Sequence, residues 1–204
     1  VFPPRRASDL FFAGDDPEFD LRKLLPAPTN TPIDAGPFFC LGLVLASDPE
    51  DSSLTDVTIH RLCVQERDEL SMFLAAGRHI EVFRKKAEDA GKPLPVTINM
   101  GLDPAIYIGA CFEAPTTSFG YIELGVAGAL RQQPVELVQG LAVKEKAIAR
   151  AKIIIEGELL PGVRVREDQH TNTGHAMPEF PGYCGEANPS LPVIKVKAVT
   201  MRHH

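Results

Sequence analysis

The chain of 204 residues carries 21 Lys and Arg against 27 Asp and Glu, a formal net charge of −6, and 44% of its residues are hydrophobic. A chain of this length makes one ordinary domain that buries roughly 70% of the surface its unfolded form exposes, so no disulfide or metal is needed to hold it together. With interspersed charges, no basic stripe, and no apolar run near the ~20 residues of a membrane helix, it argues against nucleic-acid and membrane partners and for small-molecule ones.

The four cysteines, Cys40, Cys63, Cys111 and Cys184, form no C-x-x-C pair, and the first three sit in apolar stretches. They read as reduced core thiols of a cytoplasmic protein. Residues 1–30 mix prolines, charges and exposed-looking phenylalanines, Phe11 and Phe12 among them, without helical or strand period. That composition suits a linker or the remnant of a preceding region. Val, Ile and aromatic content predicts strands at 38–46, 58–65, 94–102, 135–143, 151–159 and 191–199. Residues 78–90 have the period of an amphipathic helix that turns Ile80, Phe83 and Ala87 inward and ends at Gly91. Asp103 and Pro104 supply a cap and first-turn proline for a short helix through Ala110, and Tyr121 to Arg131 carries Ile122, Val126 and Leu130 on a third. Strands outnumber helices and do not alternate with them, which favours an α+β barrel over a doubly wound sheet. The final His203 and His204 are either native or part of a tag.

The run TDVTIHRLCVQ, Thr55 to Gln65, places an acid and an arginine five residues apart. In a regular strand an odd separation points them to opposite faces, so Asp56 and Arg61 serve unrelated purposes or the strand is irregular between them. Polar residues also interrupt apolar pattern at Arg78-His79, at Glu123 inside YIELGVAGAL, and in MPEFPGYCGEA, Met177 to Ala187. Each has an ordinary reading: a strand-end cap, a helix start, a solvated helix position, a Pro/Gly turn.

Their order resembles the UbiD family of reversible decarboxylases that use prenylated FMN. The resemblance lies in IDAGPFF (33–39), TDVTIHR (55–61), RHI (78–80), INMGLDPAIYIGA (98–110), YIELGVAGALRQQPVELV (121–138), IIIEGELLPG (154–162) and PEFPGYCGE (178–186). The wording EDQHTNTGHAMPEFPGY is similar to the branch acting on hydroxylated benzoic acids such as protocatechuate, gallate or 4-hydroxybenzoate. It implies that residues 31–204 are a central, cofactor-binding split β-barrel of the flavin-reductase-like, FMN-binding kind with flanking helices, from a longer protein whose C-terminal oligomerisation domain is absent here.

Position by position, the resemblance implies that Asp56, Val57, Thr58, Ile59, His60, Arg78, His79 and Glu123 line the cofactor. Asp56, which stands where the family commonly has Asn, would join His79 and Glu123 around Mn²⁺ or Mg²⁺ on the flavin phosphate, with K⁺ as a further cation. One imidazole and two carboxylates suit such oxygen-seeking ions better than zinc. Arg61 would face the substrate carboxylate. Glu179, within the frame Pro178-Glu179-x-Pro181, and Glu186, two positions further on than the family spacing, would be the catalytic acids. His170 and His175 would contact ring hydroxyls or form a solvated loop. The implied partners are an aromatic carboxylic acid, a flavin prenyltransferase as cofactor source, and further copies of the full-length chain in a homo-oligomer. An irregularity between Asp56 and Arg61 is expected, to let metal and substrate sites lie at opposite ends of one flavin. A flavin-binding module without activity, or an assembly domain that binds neither, are the alternatives.

Overall fold

The computed structural model describes residues 10–112, 116–118, 120–179 and 182–202. Residues 1–9, Pro181, His203 and His204 lie outside the described residues. The segment read as linker contributes a strand, β1 (Leu10–Ala13), and one helical turn, α1 (Leu21–Leu24). Phe12 packs against the core and Phe11 remains 50% exposed.

The long apolar strands build the barrel: β2 (Phe38–Ser47), β3 (Thr55–Glu66), β4 (Glu69–Met72), β5 (Leu94–Met100), β8 (Ile153–Val165) and β11 (Leu191–Met201). All pair antiparallel in the order β11-β4-β3-β2-β5-β8, and β8 returns to β11 along Ile153–Val165, so the sheet closes as a split barrel. β1 extends the remaining edge of β11 beyond the short β4. Inside lie Val44, Leu62, Val64, Leu70, Val96, Ile98, Ile155 and Val199, joined by Ile80, Phe83 and Ala87 of α2 (His79–Asp89), the residues its period turns inward.

A second layer covers the outer face. Helices α3 (Pro104–Gly109) and α4 (Leu124–Arg131) pack Ile106, Leu124 and Ala127 on Leu43, Leu45 and Val57. Asp103 caps α3 by accepting from the Ala105 N–H, as its spacing predicts. α4 starts at Leu124, which leaves Glu123 at the N-cap position rather than inside the helix. The strand expected over 135–143 is instead a hairpin of β6 (Leu137–Gln139) and β7 (Lys146–Ile148). The buried Glu156 carboxylate explains the reversal, since its Oε2 takes the N–H groups of Ala142 and Val143 at 2.7 and 3.2 Å and fixes the turn. A last small sheet, β9 (His175–Pro178) with β10 (Cys184–Glu186), stands apart from the barrel.

The thiols are all free, but only Cys63 is a core residue; Cys40 and Cys111 are exposed and Cys184 half-buried. Cys40 falls where β2 gains a residue against β3, and Cys111 follows the end of α3, so neither apolar stretch is enclosed at that point.

Candidate active site

Strand β3 organises the site because its two edges are unequally used. Toward β2 it pairs from Thr55 to His60 without interruption, whereas toward β4 only Leu62–Glu66 is paired. The chain leaves the sheet after Met72, and the edge over Thr55–Arg61 opens into a cleft of about 380 Å³ lined by Thr58, Ile59, His60, Phe73, Arg78 and Phe112, with Ala110 and Cys111 behind them. This gap is what splits the barrel.

At one end of the gap Asp56, His79 and Glu123 converge. One donor atom from each lies within 4.8 Å of the other two, although the residues come from the start of β3, the first turn of α2 and the N-cap of α4. His79 Nδ1 is 3.1 Å from Asp56 Oδ1, and the Thr117 hydroxyl donates to Glu123 Oε1 at 3.3 Å. Asp56 and Glu123 are 2% and 1% exposed. Burial raises the Asp56 carboxyl above its usual range against the opposing pull of His79. Burial and the neighbouring Asp56 charge push Glu123 up to about 7. Asp56 Oδ2 and Glu123 Oε2 are buried without a hydrogen-bond partner among the described residues. Two buried carboxylates with idle oxygens are costly unless a cation takes them, and a donor set of one imidazole and two carboxylates fits Mn²⁺ or Mg²⁺.

On the other face of β3, Arg61 Nη1 donates to Glu179 Oε1 at 2.5 Å. Alternation separates the two clusters: Val57 and Ile59 join the helix-side core, Leu62 and Val64 the barrel interior, and Asp56 and Arg61 therefore sit on opposite faces. The irregularity expected between them is absent from β3. It lies on β2, which advances from Phe39 to Gly42 while β3 advances from Leu62 to His60, so that the extra residue sits opposite Arg61. A bulge on the neighbour leaves the alternation of β3 intact and gives Arg61 room.

Glu179 reaches Arg61 from the β9–β10 hairpin, whose tip is tied by Glu179 N–H to Tyr183 C=O at 2.8 Å. Met177 packs on Ala35, Phe38 and Cys63 and touches Cys40 Sγ with its Sδ at 3.7 Å, which seats the hairpin on the barrel. Glu186 is exposed on β10, where its backbone pairs with His175, and its carboxylate has no hydrogen bond or ion pair among the described residues. Val57 turns its side chain into the helix-side core. His170 is half exposed and lies 3.2 Å from Glu66, while His175 Nδ1 is buried without a partner among the described residues. Sequence reasoning passed over Thr117, Phe73 and Phe112, whose residue types carry no signal and whose roles come from placement. It also passed over Asp168, fully buried, whose carboxylate accepts from the Gly174 N–H at 2.8 Å at the foot of the hairpin.

A closed antiparallel barrel opened along one strand edge, with a three-donor pocket at the opening, defines the class of split-barrel domains. The chain belongs to the UbiD family: residues 8–204 match its 3-octaprenyl-4-hydroxybenzoate carboxy-lyase Rift-related domain. It is 56% identical over 197 residues to gallate decarboxylase of Lactiplantibacillus plantarum, which covers 96% of this chain and 40% of that protein. It is similar at 94% identity and a TM-score of 0.90 to the apo structure of a 3,4-dihydroxybenzoic acid decarboxylase from Enterobacter cloacae, again over 96% of this chain and 40% of the other. The UbiD-class enzyme HmfF from Pelotomaculum thermopropionicum, a structure in complex with prenylated FMN, is 37% identical with a TM-score of 0.82, over 95% of this chain and 42% of that one. The chain thus spans about 40% of the length of the relatives it matches.

Proposed function

We propose that this chain is the cofactor-binding domain of a carboxy-lyase that removes CO₂, reversibly and without oxidation, from a hydroxylated aromatic acid of the protocatechuate, gallate or 4-hydroxybenzoate type. The observation that carries the reading is the pairing of Arg61 with Glu179 on one face of β3 while Asp56, His79 and Glu123 gather on the other. A simple flavin-binding module needs only the second cluster.

Asp56, His79 and Glu123 would hold Mn²⁺ or Mg²⁺, with K⁺ as a further cation, and the metal would supply positive charge to balance a flavin phosphate. Thr58, Ile59, His60 and Arg78 line the cleft beyond. When bound, prenylated FMN supplies an acceptor for the electrons left on the ring as CO₂ departs. Arg61 grips the substrate carboxylate through paired N–H groups, exchanging Glu179 for the substrate. Glu179, released from Arg61, is the group placed to pass a proton drawn from solvent to the ring carbon that CO₂ leaves. Glu186, exposed on β10, is the second candidate for the catalytic acid. In the longer protein a C-terminal domain closes the cleft and builds the homo-oligomer, and a flavin prenyltransferase supplies the cofactor.

The test is to express the full-length protein with a prenylated-FMN source and to measure CO₂ release from the three acids. Turnover of at least one is expected, with the 204-residue chain inactive alone even when supplied with prenylated FMN and Mn²⁺. Failure on all three would favour a flavin module without this activity.

A further inference from the structure

The outer helical layer holds a second cavity to which the proposed reaction gives no role. Helix α4 ends at Arg131, where Gln132 takes a left-handed φ of 53° and the Gln133 N–H closes on the Gly128 C=O at 3.1 Å. Pro134 then turns the chain, and the Glu136 C=O accepts the Ala149 N–H at 3.0 Å, which sets residues 134–136 beside the end of β7. Between this turn, the start of α3 and β7 lies a cavity of about 300 Å³, a size at the lower end for ligand pockets. It shares no residue with the cleft along β3 or with the metal pocket. Leu102, Ile106, Val135 and Ile148 give it apolar walls.

Two arginines from different elements line the same cavity, Arg131 at the end of α4 and Arg150 just past β7. Arg131 donates from Nε to Asp103 Oδ2 at 3.0 Å, and the other Asp103 oxygen caps α3 by taking the Ala105 N–H at 2.9 Å, so both oxygens of that carboxylate are engaged. Arg150 donates from Nε to Glu136 Oε2 at 3.3 Å. A guanidinium carries five N–H donors in a planar fork. Each of these uses one, and the Nη groups of both are without a hydrogen-bond partner among the described residues. The Arg150 side chain is 72% exposed and open to solvent. That of Arg131 is only 13% exposed, so its unused donors depend on what fills the cavity it lines.

We propose that this cavity binds a small monocarboxylic acid with a compact apolar body. The Nη end of the Arg131 fork takes the carboxylate in a paired contact that leaves the Nε bond to Asp103 in place, and the aliphatic walls take the body. Arg150 adds positive charge at the rim. Asp103 and Glu136 each offset one arginine, which keeps the cavity from trapping anions in general and leaves selection to fit. A bare inorganic anion gains nothing from the apolar walls, and a neutral aromatic leaves the fork unsatisfied. The site stands apart from the decarboxylase reading, since neither a flavin nor Arg61 takes part in it.

The experiment titrates the 204-residue chain, without metal or flavin, with benzoate and follows the arginine Nε–H signals in ¹H–¹⁵N spectra. The Arg131 and Arg150 signals should shift together, with half-saturation at about 1 mM or below. Arg131→Lys keeps a cation beside Asp103 and loses the fork; it should weaken binding at least about tenfold, as should Arg131→Met. Arg150→Met should weaken it only about threefold. Acetate and benzamide, which lack the body and the charge respectively, should each bind at least about tenfold more weakly than benzoate in wild type. Arg61→Met should leave the titration unchanged, which separates this cavity from the substrate site proposed on β3. Signals that do not move with benzoate would make Arg131 and Asp103 a structural pair only and overturn the proposal. Acetate binding as tightly as benzoate, or loss of the titration in Arg61→Met, would overturn it too. Neither the wild-type shifts nor the two control ligands depend on the Arg131 variants folding.

Discussion

Arg61 Nη1 and Glu179 Oε1 stand 2.5 Å apart across 118 residues of sequence, and this pair, with Met177 against Cys63, joins the β9–β10 hairpin to the organising strand of the barrel. On the proposed reading, Glu179 occupies the place on the guanidinium that an incoming carboxylate would take. If Arg61 grips the substrate carboxylate as proposed, replacing it by Ala in the full-length enzyme should lower turnover by about 10³-fold or more while FMN remains bound. Arg61→Lys keeps the charge and loses the paired donors, and should recover only part of the rate. Flavin absorbance of the purified variants, read beside CO₂ release, checks both; loss of flavin would move Arg61 into the cofactor site.

Metal binding should depend on all three converging side chains. His79→Ala and Glu123→Gln are each expected to weaken Mn²⁺ by at least about tenfold in the 204-residue chain. Asp56→Asn keeps an oxygen donor and should cost less than either. Titration of free Mn²⁺ by electron paramagnetic resonance measures this without any flavin. Equal affinity in wild type and His79→Ala would refute the assignment.

The same pocket makes the metal-free chain sensitive to pH. The Glu123 carboxyl is pushed up to about 7 from an ordinary value of 4.5, so between those limits the folded chain holds a proton that the unfolded chain has released. Stability from this group consequently falls as pH rises from about 4.5, and the full cost is present above about 7. Urea unfolding of metal-free protein should show a loss on the order of 1–3 kcal/mol between these limits, which Glu123→Gln removes. Mn²⁺ must displace that proton, so its affinity should rise over the same interval.

Closure of the barrel makes its own prediction. A Cβ on Gly157 of β8 would lie 2.7 Å from Ile194 Cγ2 and 2.8 Å from the Lys195 carbonyl oxygen of β11. Backbone on one side leaves little room to yield, so Gly157→Ala should destabilise by about 1–3 kcal/mol. Ile98→Ala, which empties a buried site between β2 and β8, should cost about 2–5 kcal/mol. Calorimetric melting of the two variants separates crowding from a cavity only by magnitude, and a neutral Gly157→Ala would show that the seam between β8 and β11 relaxes.

Much of the fold was legible because local pattern and tertiary role agree. The strands expected at 38–46, 94–102 and 191–199 appear as β2, β5 and β11 within a few residues, and α2 buries Ile80, Phe83 and Ala87 as their spacing requires. The turn at 140–145 was not legible, since VELVQGLAV has strand-forming composition and is reversed by the carboxylate of Glu156, which arrives from a later strand. Nor did composition reveal β1, whose strand character comes from the free edge of β11.

The site divides along the same line. Residue type and order, read through a family resemblance, singled out Asp56, Arg61, His79, Glu123 and Glu179, because carboxylates, an imidazole and a guanidinium have few uses within apolar elements. Sequence by itself determined which groups are available and, from the odd separation of Asp56 and Arg61, that a regular strand would divide them between two faces. Only the tertiary structure decided that β3 stays regular, that the extra residue belongs to β2, and that β4 stops short to leave the edge beside Thr58 and His60 open. The physical reason is that side-chain chemistry and backbone period are local properties, whereas where a neighbouring strand ends is set by contacts between residues far apart in the chain.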